Sequence, residues 1–183
     1  MIKPAKYLQQ WLLKNTNESH YLFALQDLRG LFPDMKNHAF KAFISRFAAN
    51  GELTRVCRGI YAYEPAMPHD GLFLFRVAAL LRCNEFNYVS LETVLSDAGV
   101  ISQIPINVIF IMSSGRSNRF SCGRFGAIEF VHTAQRPNDL IDELSYDRER
   151  GMWYASVAQA VRDAKATRRS LDLIDWEIAD ELI

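Results

Sequence analysis

The segment Glu64-Pro65-Ala66-Met67-Pro68-His69-Asp70-Gly71 constrains this chain more than any other stretch. Proline lacks the N–H that a helix interior or a central strand needs, and its ring fixes φ. Two prolines and a glycine within seven residues therefore end whatever element precedes them. The 64 residues upstream suffice for a small domain, and the roughly 115 downstream make an ordinary one. Charge divides at the same place. Residues 1–64 carry nine Lys or Arg against five Asp or Glu, a net of +4, and residues 65–183 carry twelve against sixteen, a net of −4. A basic module can approach phosphate, and an acidic one can meet something else.

The apolar content, 49% with 12% aromatic, supports a packed core and excludes a disordered chain. No apolar run is long enough to span a bilayer, so no membrane partner is expected. Met1-Ile2-Lys3-Pro4-Ala5-Lys6 lacks the apolar stretch of a secretory signal, and the expected location is the cytoplasm. Cys57, Cys83 and Cys122 are odd in number, far apart and without a CxxC pair, so neither a zinc site nor a disulfide framework is indicated. No cofactor or metal is expected.

The first module reads as three helices and a hairpin. Pro4 suits a first helical turn, and Tyr7, Trp11 and Leu8 or Leu12 recur at helical spacing through Asn15. Asn15 to His20 is a polar loop, followed by a short strand at Tyr21-Leu22-Phe23. Leu25, Leu28, Leu31 and Phe32 give the face of a short helix; Pro33-Asp34 is a turn, with Asp34 the N-cap of the next helix. That third helix is predicted from Met35 to Ala49, with Phe40, Phe43, Ile44 and Phe47 as one apolar stripe. Leu53–Cys57 and Ile60–Tyr63 flank Arg58-Gly59 and make a β-hairpin.

The second module mixes element types. The pattern predicts a helix over Leu72–Leu81, a short strand at Tyr88-Val89, and a helix over Leu91–Ala98 capped by Ser90. Val108–Met112 reads as a strand buried on both faces, Ala127–His132 as another strand, and Trp153–Ala155 as a third. Helices follow over Ser156–Ala166 and Leu171–Leu182. The expected fold class is α/β (α+β): a winged helix-turn-helix over 1–64, then a small mixed α/β domain over 70–183.

The third helix carries the candidate function. Opposite its apolar stripe lie His38, Lys41, Ala42 and Ser45, with Asn37 and Arg46 flanking and Lys36 in the first turn. Lys and Arg can reach phosphates or guanine, and Asn can pair with adenine, which is what major-groove reading requires. A short preceding helix and a turn brace such a helix in helix-turn-helix proteins. The hairpin adds a wing, with Thr54, Arg55 and Arg58 near its tip to touch phosphates or enter the minor groove. The candidate double-stranded-DNA-binding residues are thus Lys36, Asn37, His38, Lys41, Ser45, Arg46, Thr54, Arg55 and Arg58.

Catalytic signatures are missing from the sequence. There is no GxGxxG after a strand, no P-loop and no HExxH, and the four histidines show no ligand spacing. Ser113-Ser114-Gly115-Arg116-Ser117 has the composition of a phosphate loop, but no helix follows it, and it reads as a hairpin loop. Asp97 and Glu129 are the nearest candidates for the carboxylates of a nuclease, and Asp139, Asp142 and Glu143 read as an exposed helix face. The chain is not expected to be an enzyme. Two other readings compete with DNA-binding regulation: a winged helix used as a protein-interaction module, and a metal-dependent nuclease.

Three stretches resemble the AbiEi-like antitoxins, the transcriptional-regulator halves of type IV (abortive infection) toxin–antitoxin systems. They are Gly51-Glu52-Leu53 through Arg58-Gly59-Ile60-Tyr61; Tyr88 to Val100, similar to the family's YxSxxSALxxxGL helix; and Val108–Met112 with the arginine-containing loop and Phe125–His132. They follow the family's order over most of residues 1–170. The family's ASPEKALLD stands here as Ala155-Ser156-Val157-Ala158-Gln159-Ala160-Val161-Arg162-Asp163, which keeps the first two residues and the later Ala and Asp but not the Pro-Glu-Lys core.

The resemblance implies that the winged helix binds inverted repeats in its own promoter and represses its operon. The protein would bind cooperatively as a monomer or as a weak dimer. The C-terminal domain would be needed for antitoxicity against a nucleotidyltransferase-like toxin, and direct contact with that toxin is not required.

Overall fold

The computed structural model describes residues 3–102 and 106–183 of a mixed α/β chain. The chain divides into two compact units, Met1–Gly71 and Leu72–Ile183.

In the first unit α1 (Pro4–Asn15) opens on a proline, whose missing N–H has no partner to lose in a first helical turn. Leu8 and Leu12 are its buried residues. A short strand β1 (Leu22–Ala24) runs into α2 (Leu25–Arg29), and α3 (Asn37–Ala49) follows. The chain then turns through Gly51 at φ +79° into β2 (Thr54–Cys57) and β3 (Ile60–Ala62). These three strands form one antiparallel sheet in the order β1-β3-β2, with Phe23 and Arg55 on either side of Tyr61. The expected hairpin thus gains a third strand, which lies one residue later than its apolar run foretold because Tyr21 is the closing position: its carbonyl accepts from Tyr63 N at 2.9 Å. Leu8, Leu12, Phe23, Leu28, Phe40, Ile44, Phe47, Leu53 and Tyr61 make the core. Each such side chain contributes about 1.5–3 kcal/mol when fully buried.

Two expectations about α3 are corrected. The helix begins at Asn37, not Met35, and Asp34 does not cap it; Lys36 holds the N-cap position without a side-chain cap bond. The Arg29 guanidinium is the physical reason. Its Nη1 donates to the Phe32 carbonyl, and its Nη2 donates to those of Pro33 at 3.3 Å and Met35 at 2.7 Å. Those bonds hold residues 32–35 as a turn.

The second unit contains α4 (Phe73–Leu81), β4 (Asn87–Val89), α5 (Leu91–Asp97), β5 (Val108–Ser113), β6 (Asn118–Ser121) and β7 (Ala127–His132). β8 (Leu144–Asp147), β9 (Met152–Ala155), α6 (Val157–Ala166) and α7 (Trp176–Leu182) follow. Its six-stranded sheet has the order β6-β7-β5-β4-β9-β8. β5 runs parallel to β7, and β4 runs parallel to β9; the other neighbours are antiparallel. α5 packs against α6. No helix among the described residues is long and apolar enough to cross a membrane.

Several local readings of this unit are revised. Ser90 precedes α5 but makes no side-chain cap; its hydroxyl is committed to Asp163. Ser113–Ser117 is not a hairpin loop, because β5 and β6 are not neighbours and the loop crosses the end of β7 between them. Asp139, Asp142 and Glu143 do not form a helix face. Asp139 caps a 3-10 turn over Pro137–Leu140, and Glu143 pairs with Arg162. The last helix starts at Trp176, where the Asp175 carboxylate accepts from Glu177 N at 3.1 Å and Ile178 N at 3.4 Å.

Candidate nucleic-acid interface

The burial of α3 follows its apolar stripe. Phe40, Ile44 and Phe47 are buried and Phe43 is partly so, which turns the opposite face to solvent. Asn37, His38, Lys41, Ala42, Ser45, Arg46 and Ala49 are all exposed there, and Lys36 is exposed at its start. No Asp or Glu lies between Lys36 and Gly51, so the only formal charges on this face are positive. The two alanines end at Cβ, and a partner's surface can approach the helix axis closely beside them.

The β2–β3 hairpin turns on two residues, Arg58 and Gly59, the latter at φ +82° where a side chain would be strained. Arg58 is exposed at this tip. Arg55 is exposed further back, opposite Tyr61, while Val56 and Cys57 are buried beside a register shift between Arg55 and Cys57. Thr54 stands apart from these cations. It is half-buried, and its hydroxyl donates to the Glu64 carboxylate.

Arg29 was not among the expected site residues. It touches the carbonyls of the α2–α3 turn and lies over the Phe40 ring at 5.4 Å, so it positions the start of α3. Its signal in the sequence was weak: a basic residue ending a short helix, just before Leu31-Phe32-Pro33, where no polar side chain precedes Asp34.

The second unit gathers its polar groups around Asp163, which is fully buried at the side of α6. Its Oδ2 accepts from Ser90 Oγ at 2.7 Å. Its Oδ1 accepts from Tyr88 Oη at 3.2 Å, Gln135 Nε2 at 3.0 Å and Gln159 Nε2 at 2.8 Å. Burial raises the Asp163 carboxyl above the usual carboxylate range, against those four donors. Burial and the nearby carboxylate raise the Tyr88 phenol too.

Asp97 and Glu129 are each engaged by arginine. Asp97 accepts from Arg150 Nη2 at 2.9 Å and Tyr154 Oη at 2.8 Å, and burial, followed by this bond, raises the Tyr154 phenol. Glu129 accepts from Arg169 Nη2 and stands 3.8 Å from Arg119. Among the described residues, no three His, Cys, Asp or Glu side chains converge as metal ligands.

No protein-family model matches this chain, and no curated protein matches it.

Proposed function

We propose that the chain is a DNA-binding transcriptional autorepressor and the antitoxin of a type IV toxin–antitoxin system, with residues 1–64 acting as a winged helix-turn-helix. The observation that carries the DNA-binding reading is the exposed face of α3, cationic and amide-bearing and without a carboxylate. A helix of 13 residues is about 20 Å long, and the major groove is about 12 Å wide, so such a face can lie within it. Asn37, His38 and Ser45 then meet base edges, Lys36, Lys41 and Arg46 meet phosphate or guanine, and Ala42 lets the helix sit deep. Arg58 at the hairpin tip, with Arg55, serves as the wing.

The antitoxin role rests on the resemblance to the AbiEi-like regulators. In its support, Tyr88 and Ser90 of one matching stretch meet Asp163, a position kept in the 155–163 segment that otherwise departs from the family's pattern, in a single hydrogen-bonded cluster. The functional partner is then a nucleotidyltransferase-like toxin, opposed without direct contact being required.

The test is a mobility-shift titration on the DNA upstream of the protein's own gene at two salt concentrations. Scrambled DNA and the Lys41→Ala/Arg55→Ala variant run alongside. Tight, salt-sensitive binding to the upstream DNA that the variant loses is the expected result. Binding no tighter than to scrambled DNA overturns the autorepressor.

A further inference from the structure

The end of α4 and the β5–β6 loop of the second unit border an open groove of about 820 Å3. That lies within the range of roughly 300–1,000 Å3 typical of small-molecule sites. Its floor is organised around Arg82. The guanidinium donates through Nη1 to Ser113 Oγ at 2.7 Å and through Nη2 to the Arg116 carbonyl, and it lies 4.0 Å over the Phe130 ring. Neutral oxygens and an aromatic face thus hold this half-buried cation in one orientation.

Arg119, Arg150, Arg162 and Arg169 each meet a carboxylate within ion-pair distance. Among the described residues Arg82 and Arg116, which both line this groove, have no such pair, and neither do Arg136, Arg148 and Arg168 outside it. Glu85 is the one carboxylate lining the groove; it acts on Arg82 and accepts the Ser114 hydroxyl at 2.7 Å, and against Arg82 and Arg116 it leaves the lining with one positive charge in excess. Arg82 is partly desolvated and has Glu85 as its nearby carboxylate, and two guanidiniums against that single carboxylate favour an added anion.

The loop lets the Arg82 and Glu85 side chains approach its backbone closely at Gly115. A Cβ on Gly115 would fall 2.9 Å from Arg82 Nη1, so any larger residue would displace the guanidinium. Ser117 Oγ accepts from His132 N at 2.9 Å, which leaves its own proton to donate. His132 Nδ1 lies 3.0 Å from the Gly115 carbonyl, so an Nδ1–H tautomer donates there and Nε2 is left over.

We propose that this groove binds the phosphate group of a small phosphorylated ligand of about nucleotide size. Arg82 and Arg116 are its cationic contacts and Ser117 is a hydroxyl donor. Two guanidiniums and a hydroxyl offer more donors than a single carboxylate can accept, and they match the oxygens of a phosphate. The volume leaves space for the organic remainder. This inference is independent of the DNA-binding reading, since every residue it uses lies in the second unit.

The experiment titrates the full chain at low ionic strength with ADP, inorganic phosphate, adenosine and potassium chloride, following backbone amide shifts of Gly115, Ser117 and His132. ADP and phosphate are expected to bind saturably and to compete, and adenosine and chloride are expected not to. ADP binding more tightly than phosphate assigns the site to an organic phosphate, and equal binding assigns it to the free anion; both uphold the phosphate chemistry. Arg116→Gln, at an exposed side chain, should weaken ADP by about tenfold or more without moving the thermal midpoint. Ser117→Ala should weaken it less. Saturable shifts absent for both ADP and phosphate overturn the proposal, as do equal shifts for adenosine and ADP or unchanged affinity in Arg116→Gln.

Discussion

Ser90 Oγ donates to Asp163 Oδ2 at 2.7 Å, joining residues 73 positions apart in the chain. With Tyr88, Gln135 and Gln159 on the other oxygen, the carboxylate has a donor on each oxygen and is fully buried. Removing Asp163 takes the shared acceptor from four donors, of which Gln159 Nε2 keeps its bond to Gln135 Oε1 at 3.1 Å. Asp163→Ala should therefore destabilise the second unit by about 3 kcal/mol or more, and Ser90→Ala by about 1–2 kcal/mol. Urea unfolding followed by circular dichroism measures both, and equal small losses would remove Asp163 from the centre of the cluster.

The same carboxyl makes stability depend on pH in a defined direction. Its folded pKa is raised, so the folded state holds its proton more tightly than the unfolded chain does. The stabilisation this provides is whole below about pH 3.9, the ordinary Asp value, and is lost as pH rises through the raised value. Asp163→Asn cannot titrate. The stability of the natural chain relative to Asp163→Asn should decline from acid pH toward neutrality, and a flat difference across that window would contradict the raised pKa.

Ala42 tests the α3 face without touching the core. Ala42→Glu adds a carboxylate and bulk to an exposed position, so folding stability should stay within about 0.5 kcal/mol. DNA affinity should fall on every sequence. Lys41→Ala should reduce the slope of affinity against salt by about one, as the loss of one phosphate contact does. Fluorescence anisotropy across a salt series reads both, and an unaltered slope in Lys41→Ala takes Lys41 out of the interface.

Arg29→Met keeps an apolar stem over Phe40 but frees the carbonyls of Phe32, Pro33 and Met35. A loss of about 1–3 kcal/mol is expected in the first unit. Amide hydrogen exchange should also rise first at the N-terminal turn of α3. Loss of DNA affinity together with unchanged exchange there would argue that Arg29 touches DNA itself.

What could be read from the sequence was what repeats locally. Phe40, Phe43, Ile44 and Phe47 carry the helical period, so α3 and its exposed face were legible. Ser156 was legible as the start of α6, and its Oγ does accept from Gln159 N at 3.0 Å. β6 and β8 were not legible, because edge strands such as Asn118–Ser121 bury little and need no apolar alternation. Nor was the destination of the Ser90 hydroxyl, since a serine before an amphipathic run looks like a cap whatever lies 73 residues further on. Of the nine residues expected to contact DNA, eight are exposed, and only Thr54 is turned to an internal partner. The groove around Arg82 escaped notice because Arg82, the Ser113–Ser117 loop and His132 converge only through the strand order.

The position of β4 between β5 and β9 sets the order in which the protein can be made. The first unit has all its strands once Ala62 has been synthesised. The second has no complete sheet centre until Met152–Ala155 emerges from the ribosome, and Tyr88 has no carboxylate until Asp163 does. Until then β4 is an open edge whose backbone can pair with a neighbouring nascent chain. Closing that sheet joins segments more than sixty residues apart, a slow search by loop-closure entropy. Translation that stalls between Ser113 and Met152 therefore leaves a chain with this edge exposed, while the first unit already has all its strands.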